Sequence, residues 1–176
     1  MMAAFAQLTG VPALPIISDT LFSTTKFSPA YGVYGIAVAA AIGALIGIFM
    51  VNLLTVKKLL IGGYTVMSAC LICIVAFDKT QNDFVVLIFM VVLETSYQLT
   101  AGTYTLAYIG NVGNEKQISV ANGVFWVLLL TTQSMLLTAE KQIFEEFCVF
   151  AGITVCGLVF VICMVKNTDD LSKEQT

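Results

Sequence analysis

Gln7, Asp19, Glu94, Gln98, Asn122 and Gln133 interrupt long apolar stretches, and Trp126, the only tryptophan, stands one helical turn beyond Asn122. Amide side chains donate and accept hydrogen bonds in fixed directions, so they hold polar ligands rather than cleave them. A carboxylate deep in an apolar run costs several kcal/mol unless it is paired, protonated or hydrogen-bonded, and is a functional candidate by default. Glu94 lies about ten residues into its run, with no basic residue at comparable depth. It must be protonated, capped by hydroxyls such as Thr95 and Ser96, or paired with another chain. Glu94 is therefore a structural or coupling candidate.

Composition narrows the chemistry further. The chain has no His, which removes imidazole acid–base catalysis and His-ligated metals. Its charged residues are 11% of the total, its net charge is −3, and its eight basic residues are all lysine. Nucleic-acid binding needs a basic stripe to displace counterions, and none is present. The five cysteines sit in apolar runs. Cys70-x-x-Cys73 lacks a second pair at zinc spacing and reads as small residues packing in a helix. No nucleophile–base pair, metal cluster or phosphate loop is visible, so neither a catalytic residue nor a metal or cofactor is expected.

Hydrophobic residues make up 59% of the chain, against about 45–50% in soluble domains. The elements that carry the polar residues must therefore lie in lipid. Six apolar runs, at about 3–24, 32–54, 59–77, 84–109, 118–138 and 144–165, are separated by short polar breaks, and residues 166–176 form a polar tail. About 20 apolar residues span a bilayer as helix. Continuous rather than alternating runs exclude barrel strands. The expected fold is an all-α membrane protein of six transmembrane helices. A signal peptide is the lesser reading of the first run, which lacks a basic leading segment and contains Pro12 and Pro15. These prolines predict a bend there, and Gly102 predicts one in the fourth run. Gly43-x-x-x-Gly47 permits close helix packing. With both termini cytoplasmic, five lysines fall inside and three outside, the expected direction of bias. Which membrane is occupied does not follow from the residues.

Several segments, in order along the chain, resemble a known family. Gln7-Leu8-Thr9-Gly10-Val11-Pro12-Ala13, continuing to Ser18 and Phe22, is similar to the seventh helix of sugar porters in the major facilitator superfamily. Residues 49–62, F-M-V-N-L-L-T-V-K-K-L-L-I-G, resemble the turn after the family's eighth helix. Val92-Leu93-Glu94 resembles the glutamate of the tenth helix, residues 121–126 the eleventh around its tryptophan, and Val165-Lys166-Asn167-Thr168 the exit from the twelfth. The chain also departs from the pattern. Pro12 stands where the family has a sugar-binding asparagine, and residues 98–104 lack the prolines and tryptophan of the tenth helix.

The resemblance implies a divergent C-terminal half of a major facilitator bundle, built as two inverted three-helix repeats. It implies that Gln7, Asn122, Trp126 and Gln98 bind substrate in one mid-membrane cavity, the amides holding hydroxyls and the indole giving a stacking face. The implied ligand is a hexose or similar small polar solute. The implied partners are the lipid bilayer and a second six-helix half or another membrane subunit. Met1 lies only six residues before Gln7, whereas the family carries further helical turns there. A fragment, a truncated product and a half that joins another chain all fit. The departures from the pattern leave an alternative, a degenerate, non-transporting half that serves as an accessory or scaffold subunit.

Overall fold

A run of apolar residues in lipid satisfies its backbone only as helix, and the described parts of the long runs are mainly helical. The computed structural model describes residues 1–23, 29–50, 53–78, 83–138 and 143–165. The polar tail expected at 166–176 and the side chain of Asp19 lie outside the described residues. The elements are α1 (Met2–Leu8), a 3-10 turn (Val11–Ala13), α2 (Leu14–Ser23), α3 (Pro29–Met50), α4 (Val56–Asp78), α5 (Asp83–Tyr97), a π turn (Gln98–Gly102), α6 (Thr103–Val112), α7 (Glu115–Thr138) and α8 (Ile143–Met164).

Among the described residues, four segments are long and apolar enough to cross a membrane: Gly32–Met50, Val56–Phe77, Phe84–Asn111 and Glu145–Met164. Two of the six expected spans take another form. Residues 3–24 do not make one helix. Gly10 adopts φ 75°, a left-handed conformation that ends α1, and Pro12 sits in the first turn of the 3-10 segment that follows. A Cβ at Gly10 would also run into the Phe150 ring, so the position needs glycine twice over. α7 is long enough, at 24 residues, but Gln117, Asn122 and Gln133, with the hydroxyls of Thr131, Thr132 and Ser134, lower its hydropathy. Its start is set by Gln117, whose Oε1 accepts the Asn114 backbone N–H at 3.1 Å, the return half of a capping box.

The core follows heptad-like stripes. On α4, Leu60, Tyr64, Met67, Leu71 and Ile74 are all essentially sealed from outside, with steps of four and three residues that keep one face turned inward. The stripe on α5 and α6 runs Val86, Met90, Leu93, Tyr97, Ala101, Tyr104 and Tyr108. Its spacing contains one extra step of four, which amounts to one inserted residue. The π turn falls at that point, and a wider turn absorbs an insertion without rotating the stripe off the core. The bend expected at Gly102 is thus a widened turn inside a segment that continues from Phe84 to Asn111. A hydroxyl stabilises it: Thr103 Oγ1 donates to the Gln98 carbonyl at 2.5 Å.

Glycines let the helices approach. A Cβ on Gly43 would lie 2.5 Å from the Thr95 carbonyl oxygen, and one on Gly47 3.3 Å from that of Leu99. The Tyr104 hydroxyl donates to the Gly47 carbonyl. A Cβ on Gly63 would overlap the Thr100 side chain, and one on Gly157 would lie 2.8 Å from the Tyr64 ring. Helix α4 is therefore central, packed between α5 and α8, while α3 packs on α5 and the π turn, and α7 packs chiefly on α1.

Adjacent glycines on α4 give a controlled test. Gly63→Ala should lower thermal stability in detergent by about 1–3 kcal/mol, the usual range for overpacking. Gly62→Ala, whose Cβ would meet nothing within 4 Å, should be neutral or slightly stabilising. Equal melting temperatures for the two variants would show that the seat of the π turn is not tight.

Candidate functional site

The broken N-terminal segment carries Gln7 into the interior. Its side chain is only 1% exposed, because α1 packs against both α7 and α8. Its Nε2 donates to the Tyr97 hydroxyl oxygen at 3.5 Å, the long limit of a hydrogen bond. Its Oε1 is buried with no partner. Tyr97 ends α5, within electrostatic reach of both Tyr64 and Glu94. Glu94 is buried, and its Oε1 accepts Gln98 Nε2 at 3.0 Å. Glu94 Oε2 and the Tyr64 hydroxyl have no hydrogen-bond partner.

The interior thus holds a polar group made from three elements: Gln7 from α1, Tyr64 from α4, and Glu94 and Tyr97 from α5, with Gln98 at its half-buried edge. A buried, unpaired polar atom costs about 1–3 kcal/mol. Gln7 Oε1, Glu94 Oε2 and the Tyr64 hydroxyl are left without partners inside this group. The arrangement can take up further hydrogen bonds.

Asn122 and Trp126 stand elsewhere. Both are exposed, Trp126 at 54%. The neighbouring Phe125 is half-buried and meets the indole edge-on at 6.0 Å. Asn122 and Trp126 share the outer face of α7, as residues four apart on a helix must. Among the expected substrate-binding residues, the described structure places Gln7 and Gln98 on either side of Tyr97, and Asn122 with Trp126 on a separate, open surface. Gln133, also on α7, donates from Nε2 to the Pro12 carbonyl at 3.4 Å. It ties α7 to the break.

Tyr64 and Tyr97 are absent from the residues singled out by the sequence. Their signal was present: Tyr64 occupies a stripe otherwise filled by aliphatic residues, Tyr97 begins the tyrosines of the next stripe, and a buried tyrosine hydroxyl usually seeks a partner. Gln133 was visible as a polar residue, but its role depends on the carbonyl freed beside Pro12.

A pair of variants tests the carboxylate. Glu94→Gln keeps an acceptor for Gln98 and carries no charge in any protonation state, so thermal stability should hold or rise. Glu94→Ala strands the Gln98 amide and leaves a void, and should cost about 2–4 kcal/mol. A drop in stability for Glu94→Gln as large as for Glu94→Ala would mean that the ionised group itself is required.

The described helices, long, apolar and interrupted at a buried glutamine, fit a solute carrier. The family model described as sugar (and other) transporter matches residues 1–176. No individual curated protein matches the chain. The chain therefore belongs to the sugar (and other) transporter family, and is a multi-pass membrane protein of the major facilitator superfamily, whose members move small solutes across membranes rather than transform them.

Proposed function

We propose that the chain is a six-helix, C-terminal-type half of a divergent sugar porter, with two inverted three-helix repeats, and moves a hexose or similar small polyol together with a second half. The observation that carries this reading is Gln7: a glutamine sealed inside the bundle beside a break in its helix, with its carbonyl oxygen unpaired. Transporters of this type bind substrate near mid-membrane at broken helices. A hydroxyl-rich solute would satisfy such an acceptor.

In this reading Asn122 and Trp126 offer a second polar surface, apart from Gln7, on the outer face of α7. That face is exposed, which suits a surface that meets a second six-helix body across a substrate cavity. Alternating access needs two bodies rocking about a shared site, so a single half does not transport. In the same reading both termini are cytoplasmic, residues 1–165 form the membrane domain and residues 166–176 its cytoplasmic tail.

A second reading has its own support. Pro12 replaces the family's sugar-binding asparagine, and its carbonyl is held by Gln133. With no amide at that position to hold a sugar hydroxyl, the chain would serve as an accessory or scaffold subunit that does not move solute.

Uptake of labelled glucose into liposomes separates these readings. The full chain alone should show no saturable uptake. Co-reconstituted with a complementary six-helix half, it should show uptake competed by unlabelled sugar. In that complex Gln7→Ala and Trp126→Ala should each raise KM by about tenfold, the worth of one good polar contact. Saturable uptake by the chain alone would overturn the half-transporter reading. Assembly without uptake would favour the accessory subunit.

A further inference from the structure

The start of α4 carries Lys57 and Lys58, and a groove lined by Lys58 opens there. It has a volume of about 190 Å³ and runs between α4 and the α5–π segment, from Leu54 and Lys58 past Gly62 and Gly63 to Val66. The opposite wall is Thr95, Ser96, Leu99 and Thr100. Two of those hydroxyls do not face a ligand. Thr95 Oγ1 donates to the Val91 carbonyl at 2.8 Å and Thr100 Oγ1 to that of Ser96 at 2.5 Å. With those hydroxyls bonded within their own helix, the groove is mainly apolar below the Lys58 end.

Its length also fits the membrane. Eight residues of helix separate Lys58 from Val66, about 12 Å along the axis, so the groove descends from the interface into hydrocarbon. Among the described residues no carboxylate forms a salt bridge with Lys57 or Lys58. Thr55 Oγ1, just ahead of the helix, is buried without a hydrogen-bond partner.

We propose that this groove binds one anionic phospholipid. Lys57 and Lys58 take the headgroup phosphate at the start of α4, and an acyl chain lies in the slot over Gly62. The missing side chain of Gly62 makes the slot: a Cβ there would meet nothing within 4 Å. Basic pockets between transmembrane helices hold anionic headgroups, each lysine near the surface giving about a fivefold gain in affinity. The lipid bridges α4 and α5 beside the Gly63–Thr100 contact and helps to hold the π turn in place.

The test uses the full chain in nanodiscs of equimolar phosphatidylglycerol and phosphatidylcholine, followed by mild detergent and a count of retained lipid by native mass spectrometry. The wild-type chain should retain one phosphatidylglycerol in preference to phosphatidylcholine. Lys57→Gln with Lys58→Gln should reduce that preference by roughly 25-fold. Gly62→Leu should expel the lipid whatever its headgroup. If Gly62→Leu does not fold, Val66→Phe, at a position already 42% exposed, plugs the same slot. Equal retention of the two lipids, or retention unchanged by the lysine or slot variants, would overturn the proposal. Displacement of the lipid by inorganic phosphate at matched concentration would do the same, since it would reveal an anion site without a lipid groove.

Discussion

Everything in the interior depends on how closely the π turn sits against its neighbours. Gln98–Gly102 is pressed between α3, at Gly43 and Gly47, and α4, at Gly63. One residue more than an α-helix would hold is accommodated there. Without it, every side chain beyond the turn would rotate by about 100°. Ala101, Tyr104 and Tyr108 would leave the core, and the bond from Tyr104 to the Gly47 carbonyl would break. The turn also decides what lies before it. Tyr97 is the last α-helical residue, and its place on the stripe brings it to Gln7, while Gln98 turns back along α5 to Glu94. The wide turn, the three glycines and the polar interior are one arrangement.

The N-terminal segment faces a related problem with a different solution. A glutamine placed on a continuous helix would still have to be sealed from lipid. Here the left-handed Gly10 ends α1 after two turns, and the Phe150 ring fills the space its side chain would occupy. The chain then restarts through Pro12, whose exposed carbonyl is taken by Gln133 from α7. Thr9 closes the last turn by donating to the Ala6 carbonyl at 2.9 Å. The break is thus stitched on both sides by side-chain hydrogen bonds, as backbone groups released within a membrane must be.

The sequence made the helices and the interruptions readable, because both rest on local chemistry: long apolar runs, prolines, glycines and charged breaks. Gly43 and Gly47 were legible for the same reason, and both lie against α5 and the π turn. What faces inward was much harder to read. In water, the core side of a helix is the apolar side. In lipid the outside is equally apolar, so composition does not separate the two faces. That is why Tyr64 and Tyr97 passed as ordinary members of apolar runs, and why Asn122 and Trp126 looked equivalent to Gln7. The extra step of four between Leu93 and Ala101 does encode the π turn, but it becomes readable only once the buried residues are known.

The two polar sets place different demands on their surroundings. The inner one is already sealed, and its unpaired oxygens weigh on the stability of the bundle itself. The outer one, on α7, is exposed, with Asn122 beside a half-exposed indole and hydroxyls further along the helix. An amide facing hydrocarbon without a partner costs roughly 1–3 kcal/mol. α7 meets the rest of the bundle chiefly through α1, a helix of only 7 residues, so little packing offsets that cost. A helix that is both less apolar and less well packed than its neighbours is poorly suited to lipid and well suited to a protein or water-filled boundary.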